Sequence, residues 1–467
     1  MSEQQSRSGL ALFKEALAGN TRVDYTKGSI GRATFLLAVP MIIEMAMESI
    51  FAIVDIFFVA GVGTEAVATV GLTEAVITLL YALAIGLSMG TTALIARRIG
   101  ERNSRAASIT AAQALWLGAF ISLTVGAAGI LFGEDILRIM GADAATVASG
   151  KTYTTLMFGG SFTIFFLFLN NAIFRGAGDA SLAMRTLILA NVVNIVLDPC
   201  FIYGLGPFPE LGVTGAAVAT NIGRGLGVLY GFYYLVGSDN RIRLVREYVA
   251  LRAGVLWTIL RISFGGVAQM LIATASWVFL MRIVSEFGGA AVAGYTIAVR
   301  IILFIILPAF GLSNATATLV GQNLGAKLPE RAEATVWKVL QYVSFYMVGT
   351  AAIVLLFDET LIRQFSTEPE VVRYGVSCLR IFSLGLVFFG ISGTAVQAFN
   401  GAGDTMTPTW INFFCFWVVQ VPLAYVLALQ LGIGPEGVFW AVFVSDVLAG
   451  ILGVHIFRRG RWKTKMV

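Results

Sequence analysis

The stretch Phe174-Arg175-Gly176-Ala177-Gly178-Asp179 decides the fold, because it returns 225 positions later as Phe399-Asn400-Gly401-Ala402-Gly403-Asp404. The same offset holds at four other places: Ala66–Ala68 with Ala291–Ala293, Gly86 with Gly311, Gly100 with Gly325, and Gly212–Val213 with Gly437–Val438. One offset that holds at five separated places indicates a duplicated unit rather than chance. The chain therefore contains two copies of one structural repeat.

The two copies differ in the charges that they carry inside apolar segments. Asp55 corresponds to Leu280 in the second copy, and Asp198 corresponds to Leu423. A charge inside a membrane span costs roughly 2.5–3.5 kcal/mol on insertion scales, so such a residue indicates a functional position. The acids of the first copy are therefore the best functional clue in the sequence.

The composition is that of a protein that crosses the membrane many times. The chain is 57% hydrophobic and 13% charged, and its mean hydropathy of +0.83 excludes an ordinary soluble globule. Apolar stretches of about 20 residues, long enough to span a bilayer as helices, recur along the whole chain. We predict twelve: 33–60, 67–96, 107–132, 151–174, 181–204, 213–236, 256–284, 291–320, 333–357, 372–398, 406–430 and 437–457. The predicted fold class is an all-α integral membrane protein.

The distribution of basic residues predicts the orientation. With both termini cytoplasmic, 24 of the 32 Lys and Arg residues lie on the cytoplasmic side, in agreement with the positive-inside rule. Only Arg138, Lys151, Arg363 and Arg373 lie on the outer side. The net charge of +5 is therefore an insertion signal, and we expect no nucleic-acid partner.

Six spans per copy insert both copies in the same sense, so a pseudo-twofold axis along the membrane normal should relate two six-helix bundles. Two facing bundles suggest alternating access, although duplication can also build a merely stable bundle, a channel or a membrane enzyme. We divide the chain into a cytoplasmic N-terminal segment 1–32, an N-lobe 33–236 (spans one to six), a cytoplasmic linker 237–255, a C-lobe 256–457 (spans seven to twelve) and a cytoplasmic tail 458–467.

Ionisable residues inside the spans are few and unevenly divided between the copies. Five of the six acids belong to the first copy, whereas three of the four bases that we assign to neither side of the membrane belong to the second. The acids are Glu44, Glu48, Asp55, Glu74, Asp198 and Asp446, and the bases are Arg224, Arg282, Arg300 and Arg380. Asp446 corresponds to Asn221 in the first copy, which favours a structural hydrogen-bonding position for this acid.

Asp55 and Asp198 lie about five and six residues before the outer ends of spans one and five. At about 1.5 Å per residue, both are in the outer half of the membrane at nearly the same height. Asn194 precedes Asp198 by one turn on the same helix face, and Pro199 can bend the helix there. Such a pair of carboxylates can take up a proton and release it when the site opens to water. Alternatively, the two acids cap or pair with neighbouring helices.

Glu44, Glu48 and Asp55 share one face of the first span, because they occupy positions i, i+4 and i+11. Pro40 precedes them, so this stripe can line a cavity or a proton path along a helix that bends. It can equally face the bundle interior and be satisfied by hydrogen bonds. Glu74, about eight residues from the outer end of span two, is a further candidate for the cavity.

Other motifs limit the chemistry. Asp179 and Asp404 each follow Gly-Ala-Gly and precede an apolar span, which predicts that both are helix N-caps. The sequence contains no complete Walker-type phosphate-binding motif, no HExxH and no Cys/His set with metal-ligand spacing. We therefore expect no enzymatic activity and no cofactor beyond a coupling ion, either H⁺ or Na⁺.

The chain resembles the multidrug and toxic compound extrusion (MATE) family. The resemblance lies in Pro40–Val59 with its Val54-Asp55, in the run Asn191–Pro199 with Ile202–Gly204 after it, and in the doubled Gly-Ala-Gly-Asp. It covers nearly all 467 residues. The resemblance implies a V-shaped pair of six-helix lobes that export organic cations against an inward flow of H⁺ or Na⁺.

Position by position, the resemblance implies cation coupling at Asp55 and Asp198, with Asn194 beside them, and Na⁺ can bind at the same three residues. Tyr153 and Asn171, on span four, match polar positions that line the same lobe. Some branches of the family carry essential acids on spans seven and ten, where this chain has none. In that respect the chain is similar to the DNA-damage-inducible and archaeal branch, whose members are often proton-coupled.

The sequence therefore predicts a secondary multidrug antiporter of the plasma (inner) membrane, a monomer that exports small organic cations and contacts membrane lipids. The main alternative is a flippase of the same superfamily for lipids or lipid-linked oligosaccharides, because three arginines in the C-lobe suggest a cationic cavity for an anionic lipid. A membrane-embedded prenyl or glycosyl transferase would need an Asp-rich motif such as DDxxD, which the sequence lacks.

Overall fold

The computed structural model describes residues 9–19, 23–237 and 241–465, and these residues form helices and short connections without a β-strand. Residues 1–8 and 20–22 of the predicted N-terminal segment, 238–240 of the linker and 466–467 of the tail lie outside the described residues. A short helix, α1 (Gly9–Ala18), precedes the first repeat. The first repeat contains α2 (Ile30–Ala60), α3 (Thr64–Gly100), α4 (Ser104–Ile139), α5 (Ala144–Gly159), α6 (Ser161–Ala177), α7 (Ala180–Tyr203) and α8 (Val213–Val236).

The second repeat has the same order of helices. It contains α9 (Ala253–Ser285), α10 (Gly289–Gly325), α11 (Pro329–Arg363), α12 (Pro369–Gly401), α13 (Met406–Asn412), a π-helix (Phe413–Gln420), α14 (Val421–Tyr425), a second π-helix (Val426–Gln430) and α15 (Pro435–Arg458). Of the helices in the described residues, ten are long and apolar enough to cross a membrane when Ala144–Ala177 and Met406–Gln430 each count as one. The remaining two predicted spans correspond to α2 and α8, helices of 31 and 24 residues.

The predicted fourth span is broken into two helices at Gly160. Adding a Cβ atom at this position would overlap with the Asn221 side chain of α8. Asn221 fills the space and donates a hydrogen bond to the Leu156 carbonyl at 3.1 Å. The glycine therefore lets α8 approach α5 and α6 closely.

The offset of 225 recurs in the backbone geometry. Helices α3 and α10 are both 37 residues long and begin 225 positions apart. The turns that follow them contain Arg102 with φ 58° and Lys327 with φ 60°, the two positive-φ residues other than glycine among those described. Because few side chains adopt this conformation, the shared geometry supports one ancestral fold for both repeats.

One of the two predicted N-caps is wrong. The Asp179 side chain accepts a hydrogen bond from the Leu182 backbone N–H and caps α7 as expected. Asp404 instead accepts hydrogen bonds from the Thr407 hydroxyl at 2.7 Å and the Lys465 ammonium at 3.0 Å. Lys465 of the C-terminal tail competes for the carboxylate here, and an ion pair replaces the cap.

The lobes meet through reciprocal glycine contacts. A Cβ atom on Gly86 would lie closer than 3.0 Å to the backbone of Val267, and one on Gly311 would do the same at Ile42. These two contacts exchange under the offset of 225, because Val267 is the counterpart of Ile42. The same reciprocity relates the contact of Gly100 with Gln322 to that of Gly325 with Arg97. The interface therefore has the predicted pseudo-twofold symmetry.

The lobes are joined on the side of the bundle where α2 begins and α15 ends, which we call the terminal side. The Thr318 hydroxyl donates to the Arg175 carbonyl at 3.1 Å, and the Gln322 amide donates to the Gly176 carbonyl at 3.1 Å. Within the described residues, no hydrogen bond joins the lobes near the opposite ends of the helices, which we call the far side. The structure is therefore closed on the terminal side.

The segment before α2 reinforces this closure. Arg331 of α11 donates to the carbonyls of Lys27 and Gly28 at 3.1 and 3.0 Å. Arg241, in the linker after the first repeat, donates to the Val23 carbonyl at 2.6 Å. The segment thus contacts both lobes on the terminal side.

Each lobe also has an apolar core of its own. In the second lobe, the ring of Tyr295 stacks on Phe439 with the centroids 6.0 Å apart, and Phe382 packs edge-on against both. In the first lobe, Tyr153, Phe158 and Phe165 belong to one buried cluster. Two separately packed lobes can move as rigid bodies against each other.

Candidate functional site

Asp198 lies in the interior of the first lobe, on α7, and is fully buried. The Asn194 amide nitrogen lies 3.1 Å from Asp198 Oδ1 and 3.1 Å from Thr220 Oγ1 on α8. An amide group has two hydrogens, so Asn194 serves both acceptors and joins α7 to α8. This arrangement leaves Asp198 Oδ2 and Asn194 Oδ1 buried without a hydrogen-bond partner.

Asp55 of α2 lies close enough to Asp198 for the two charges to interact. Its side chain is buried, at 8% exposure, and its Oδ1 atom also lacks a hydrogen-bond partner. A buried acceptor without a donor costs roughly 1–3 kcal/mol, and two neighbouring carboxylates also repel each other. The structure thus brings together Asp55, Asp198 and Asn194, and a proton or a cation would stabilise them.

Three other predicted residues lie around this group. Tyr153 of α5 is buried and lies within electrostatic range of Asp55. Glu74 of α3 also lies within range of Asp55, although its side chain is exposed. Glu48, one turn after Glu44 on α2, interacts with the guanidinium of Arg224. The acids of α2, α3 and α7 therefore converge in the half of the lobe towards the far side.

Arg224 of α8 is a member of this group to which the sequence assigned no role. Its Nη2 atom donates to the Tyr81 hydroxyl at 2.6 Å, and its guanidinium lies 5.7 Å from the Phe51 ring and 5.8 Å from the Tyr81 ring. The side chain is 9% exposed and also interacts with Asp55. Arg224 is thus a resident cation among the acids. Its position inside a span of the acid-rich copy was the available signal.

Glu44 and Asn171 form a separate cluster nearer the terminal side. Glu44 Oε1 accepts a hydrogen bond from Arg175 Nη1 at 2.8 Å and from the Asn171 amide at 3.2 Å. This partly confirms the prediction that the acids on one face of α2 point into the bundle and are satisfied by hydrogen bonds, because Glu44 is held in a buried ion pair. Arg175 was not predicted as the partner of Glu44.

The second lobe has a neutral version of the same contact. Gln269 and Asn400 are the counterparts of Glu44 and Arg175, and the Gln269 amide donates to Asn400 Oδ1 at 3.1 Å. The same two helix positions are joined in both lobes, by charge in one and by amides in the other.

The flippase alternative expects the arginines of the second lobe to line a cationic cavity. Arg282 forms an exposed ion pair with Glu286 at 2.8 Å, and Arg380 forms an ion pair with Asp358. Asp358 was not among the predicted intramembrane acids, because α11 continues past the predicted end of span nine at residue 357. Two of the three arginines are therefore neutralised by neighbouring acids.

The donor set at Asp198 suits a proton or a hard monovalent cation. Asp55, Asn194, Asp198 and Thr220 present carboxylate, amide and hydroxyl oxygens, the ligands that hard cations prefer. Within the described part of the chain, no group of three or more His, Cys, Asp or Glu side chains is arranged to hold a metal ion.

Comparisons with known proteins agree with this geometry. The MatE family model matches residues 40–200 and 267–426, one block in each repeat. The chain is 28% identical over 433 residues to the "Probable multidrug resistance protein NorM" of Thermotoga maritima, covering 92% of this chain and 93% of the relative. It is 25% identical over 438 residues to a "FAD transporter" of Shewanella oneidensis, covering 92% and 95%. A solved outward-facing structure of a multidrug resistance MATE family transporter superimposes with a TM-score of 0.88 at 29% identity, covering 94% of this chain and 98% of the other.

Proposed function

The chain belongs to the MatE family of membrane transporters, and we propose that it is a multidrug efflux antiporter that exports organic cations in exchange for H⁺ or Na⁺. As a member of this family, it is a transporter and not an enzyme. Relatives that carry multidrug names support the substrate class. The observation that carries the proposal is the buried pair Asp55 and Asp198, whose unpartnered oxygens lie in one lobe.

The coupling ion acts through the pair of carboxylates. With both acids charged, Asp55 and Asp198 repel each other across the contact between α2 and α7. A proton or Na⁺ entering from the far side removes this repulsion and satisfies the free Asp198 Oδ2 atom. Helix α2, which contains Pro40, can then bend towards α7. The space between the lobes shrinks, and an organic cation leaves on the far side.

Alternating access follows from the asymmetry of the lobe contacts. The lobes are joined on the terminal side, so in this conformation the driving ion reaches the acids from the far side. A ligand shifts such an equilibrium only if it binds one conformation better than the other. The driving ion must therefore bind more weakly at Asp198 when the terminal side is open, and it is released there.

The cellular setting follows from the same proposal. The protein lies in the plasma membrane of its cell with both termini in the cytoplasm, so the terminal side is the cytoplasmic side. It works as a monomer, because each chain already supplies both lobes of the transport pathway. Lipid surrounds the exposed apolar faces of the spans, such as Phe120, Leu123 and Phe345.

The proposal is tested in proteoliposomes that carry either a proton gradient or a sodium gradient. We expect one of the two gradients to drive efflux of a fluorescent organic cation by the parent protein. Asp198→Asn and Asp55→Asn should abolish the gradient-driven part, because an amide cannot exchange a proton and holds Na⁺ weakly. Glu286→Gln, which removes an acid from an exposed ion pair, is the matched control and should transport as the parent does.

Two results would overturn parts of the proposal separately. Transport at the parental rate by both Asp variants would show that coupling occurs elsewhere. Efflux that responds to neither gradient, in protein that still binds the dye, would show that the chain is not an antiporter.

A further inference from the structure

A groove lies on the far side of the second lobe, where α11 ends and α12 and α15 begin. It has a volume of about 650 Å³, and its charged lining residues are Glu359, Arg363, Arg373, Arg380 and Glu436. The sequence places only four bases on the side opposite the termini, and two of these four line the groove together with an intramembrane arginine. Because the positive-inside rule disfavours bases here, this concentration of arginines indicates a specific use.

Most charges of the groove have no counterpart in the first lobe. Under the offset of 225, the exposed i, i+4 ion pair Glu359–Arg363 matches the exposed i, i+4 pair Glu134–Arg138. The other four charges do not recur, because Asp358, Arg373, Arg380 and Glu436 correspond to Gly133, Ala148, Thr155 and Leu211. The duplicated scaffold therefore explains one ion pair but not the other four charges.

The ion pair Asp358–Arg380 replaces a direct helix contact of the first lobe. There, a Cβ atom on Gly133 would lie 2.6 Å from the Thr155 hydroxyl, so the two helices pack closely. A buried ion pair is often no more stable than well-packed apolar residues of similar volume, so stability does not account for the replacement. The Asp358 side chain is 6% exposed, whereas that of Arg380 is 59% exposed. Asp358 accepts hydrogen bonds from the Nε and Nη2 atoms of Arg380, and since a guanidinium has five N–H donors, three remain for an occupant of the groove.

Glu436, in the first turn of α15, supplies the opposite charge. Ser377 lies between Arg373 and Arg380 on one face of α12 and donates to Glu436 Oε1 at 2.8 Å. Each of the three arginines has an acid beside it, whereas Glu436 forms no ion pair with any residue that the structure describes. The groove thus offers guanidinium N–H donors and one carboxylate without a base. A molecule that carries both a phosphate and an ammonium group suits both.

Exposed apolar side chains continue from the groove towards the middle of the membrane. Leu356 and Phe357 lie on α11 just before the groove, and Leu384 lies one turn after Arg380 on α12. Trp440 belongs to the lining and is partly exposed, and tryptophan is enriched at the level of lipid headgroups. A free phosphate would contact only the polar groove, whereas a phospholipid would cover the apolar surface as well. The surface therefore suits a lipid.

We propose that this groove binds the headgroup of phosphatidylethanolamine from the far-side leaflet. The phosphate accepts hydrogen bonds from Arg373 and Arg380, since guanidinium groups bind phosphate through paired N–H donors. The primary ammonium group donates to Glu436, and the acyl chains lie along the exposed apolar side chains of α11 and α12. The site is separate from the acids of the first lobe and does not depend on the proposed antiport.

The experiment measures radiolabelled phosphatidylethanolamine bound at equilibrium to immobilised full-length protein in detergent, over a range of lipid mole fractions in the micelles. Unlabelled phosphatidylglycerol, which has a phosphate but no ammonium group, should compete about tenfold less well than unlabelled phosphatidylethanolamine, a difference of about 1.4 kcal/mol. Inorganic phosphate at millimolar concentration should not compete. Arg373→Gln should weaken binding several-fold. Arg138→Gln, which removes a similarly exposed arginine from an ion pair of the first lobe, is the matched control and should bind as the parent does.

Glu436→Gln tests the ammonium contact, because its amide oxygen can still accept the hydrogen bond from Ser377. In this variant the two lipids should compete equally, and their ratio does not depend on the fraction of protein that is folded. A retained preference for phosphatidylethanolamine in Glu436→Gln would overturn the proposal, as would equal competition by the two lipids in the parent or competition by inorganic phosphate. Equal losses of binding in Arg138→Gln and Arg373→Gln would also overturn it, because surface charge in general would then hold the lipid.

Discussion

The buried ion pair Glu44–Arg175 of the first lobe can be replaced by the neutral Gln–Asn pair that the second lobe has at the equivalent positions. This exchange tests whether both pairs hold the same two helices together, one by charge and the other by an amide hydrogen bond. The variants are Glu44→Gln, Arg175→Asn and the double variant Glu44→Gln/Arg175→Asn, which reproduces the Gln269–Asn400 pair at the equivalent positions. The comparison separates the effect of charge from that of the shared helix contact.

The expected magnitudes follow from burial. The Glu44 side chain is 3% exposed and that of Arg175 is 16% exposed. Removing one partner of a buried ion pair costs about 3–5 kcal/mol, mostly because the other charge remains buried. Arg175→Asn leaves the deeper charge, so it should lower the free energy of unfolding by about 3 kcal/mol or more. Glu44→Gln should cost less, because Arg175 can still reach solvent.

The double variant should recover most of this loss, to within about 1 kcal/mol of the parent, since neutral replacement of a buried ion pair is often nearly neutral. The assay is reversible unfolding in mixed micelles, analysed as a double-mutant cycle. Additive losses, with the double variant least stable, would refute the idea that Glu44 and Arg175 form one coupled contact.

Three further predictions concern the lobe interface and the acid site. Gly86→Ala should force the lobes apart and lower the free energy of unfolding by about 1–3 kcal/mol. Gly71→Ala on the same helix has open space around the added methyl group, so it should be neutral or stabilising. Equal effects of the two variants in an unfolding experiment would contradict the close contact at Gly86. Thr220→Val leaves Asn194 with one acceptor fewer and should cost about 1–2 kcal/mol; a stability equal to that of the parent would contradict this hydrogen bond. Arg224→Gln removes the resident cation and should tighten binding of a cationic dye about tenfold at the first lobe, measured by fluorescence titration; unchanged affinity would show that Arg224 does not compete with the substrate.

Much of the fold could be predicted from the sequence, because a duplication is itself sequence information. The repeat of Gly-Ala-Gly-Asp fixed which segments are equivalent, and apolar length fixed where helices cross the membrane. Helix irregularities left no comparable signal. The break at Gly160 depends on Asn221 from another helix, and the π-helix Phe413–Gln420 has an apolar composition that suits an ordinary α-helix equally well.

The sequence was sufficient to predict how deep in the membrane each candidate residue lies on its helix. It was not sufficient to predict which side chains of other helices each residue contacts. Rise per residue placed Asp55 and Asp198 at one height, and helix periodicity placed Asn194 beside Asp198. Rotation and packing of whole helices decide which side chains meet across α2, α6 and α8. The Arg175 partner of Glu44 and the convergence of Arg224 with the acids therefore appear only in three dimensions.

The two lobes combine a symmetric interface with asymmetric chemistry, and the combination explains how an ion can drive a movement. Reciprocal contacts at Gly86 and Gly311 give each lobe the same pivot against the other, so the pivot itself does not distinguish the lobes. An ion can act on one lobe alone only through groups that differ between the lobes. Asp55 and Asp198, replaced by leucines in the second repeat, are buried groups whose charge an ion can cancel. Neutralising them therefore changes the energy of one lobe only, so the ion can move that lobe relative to the other.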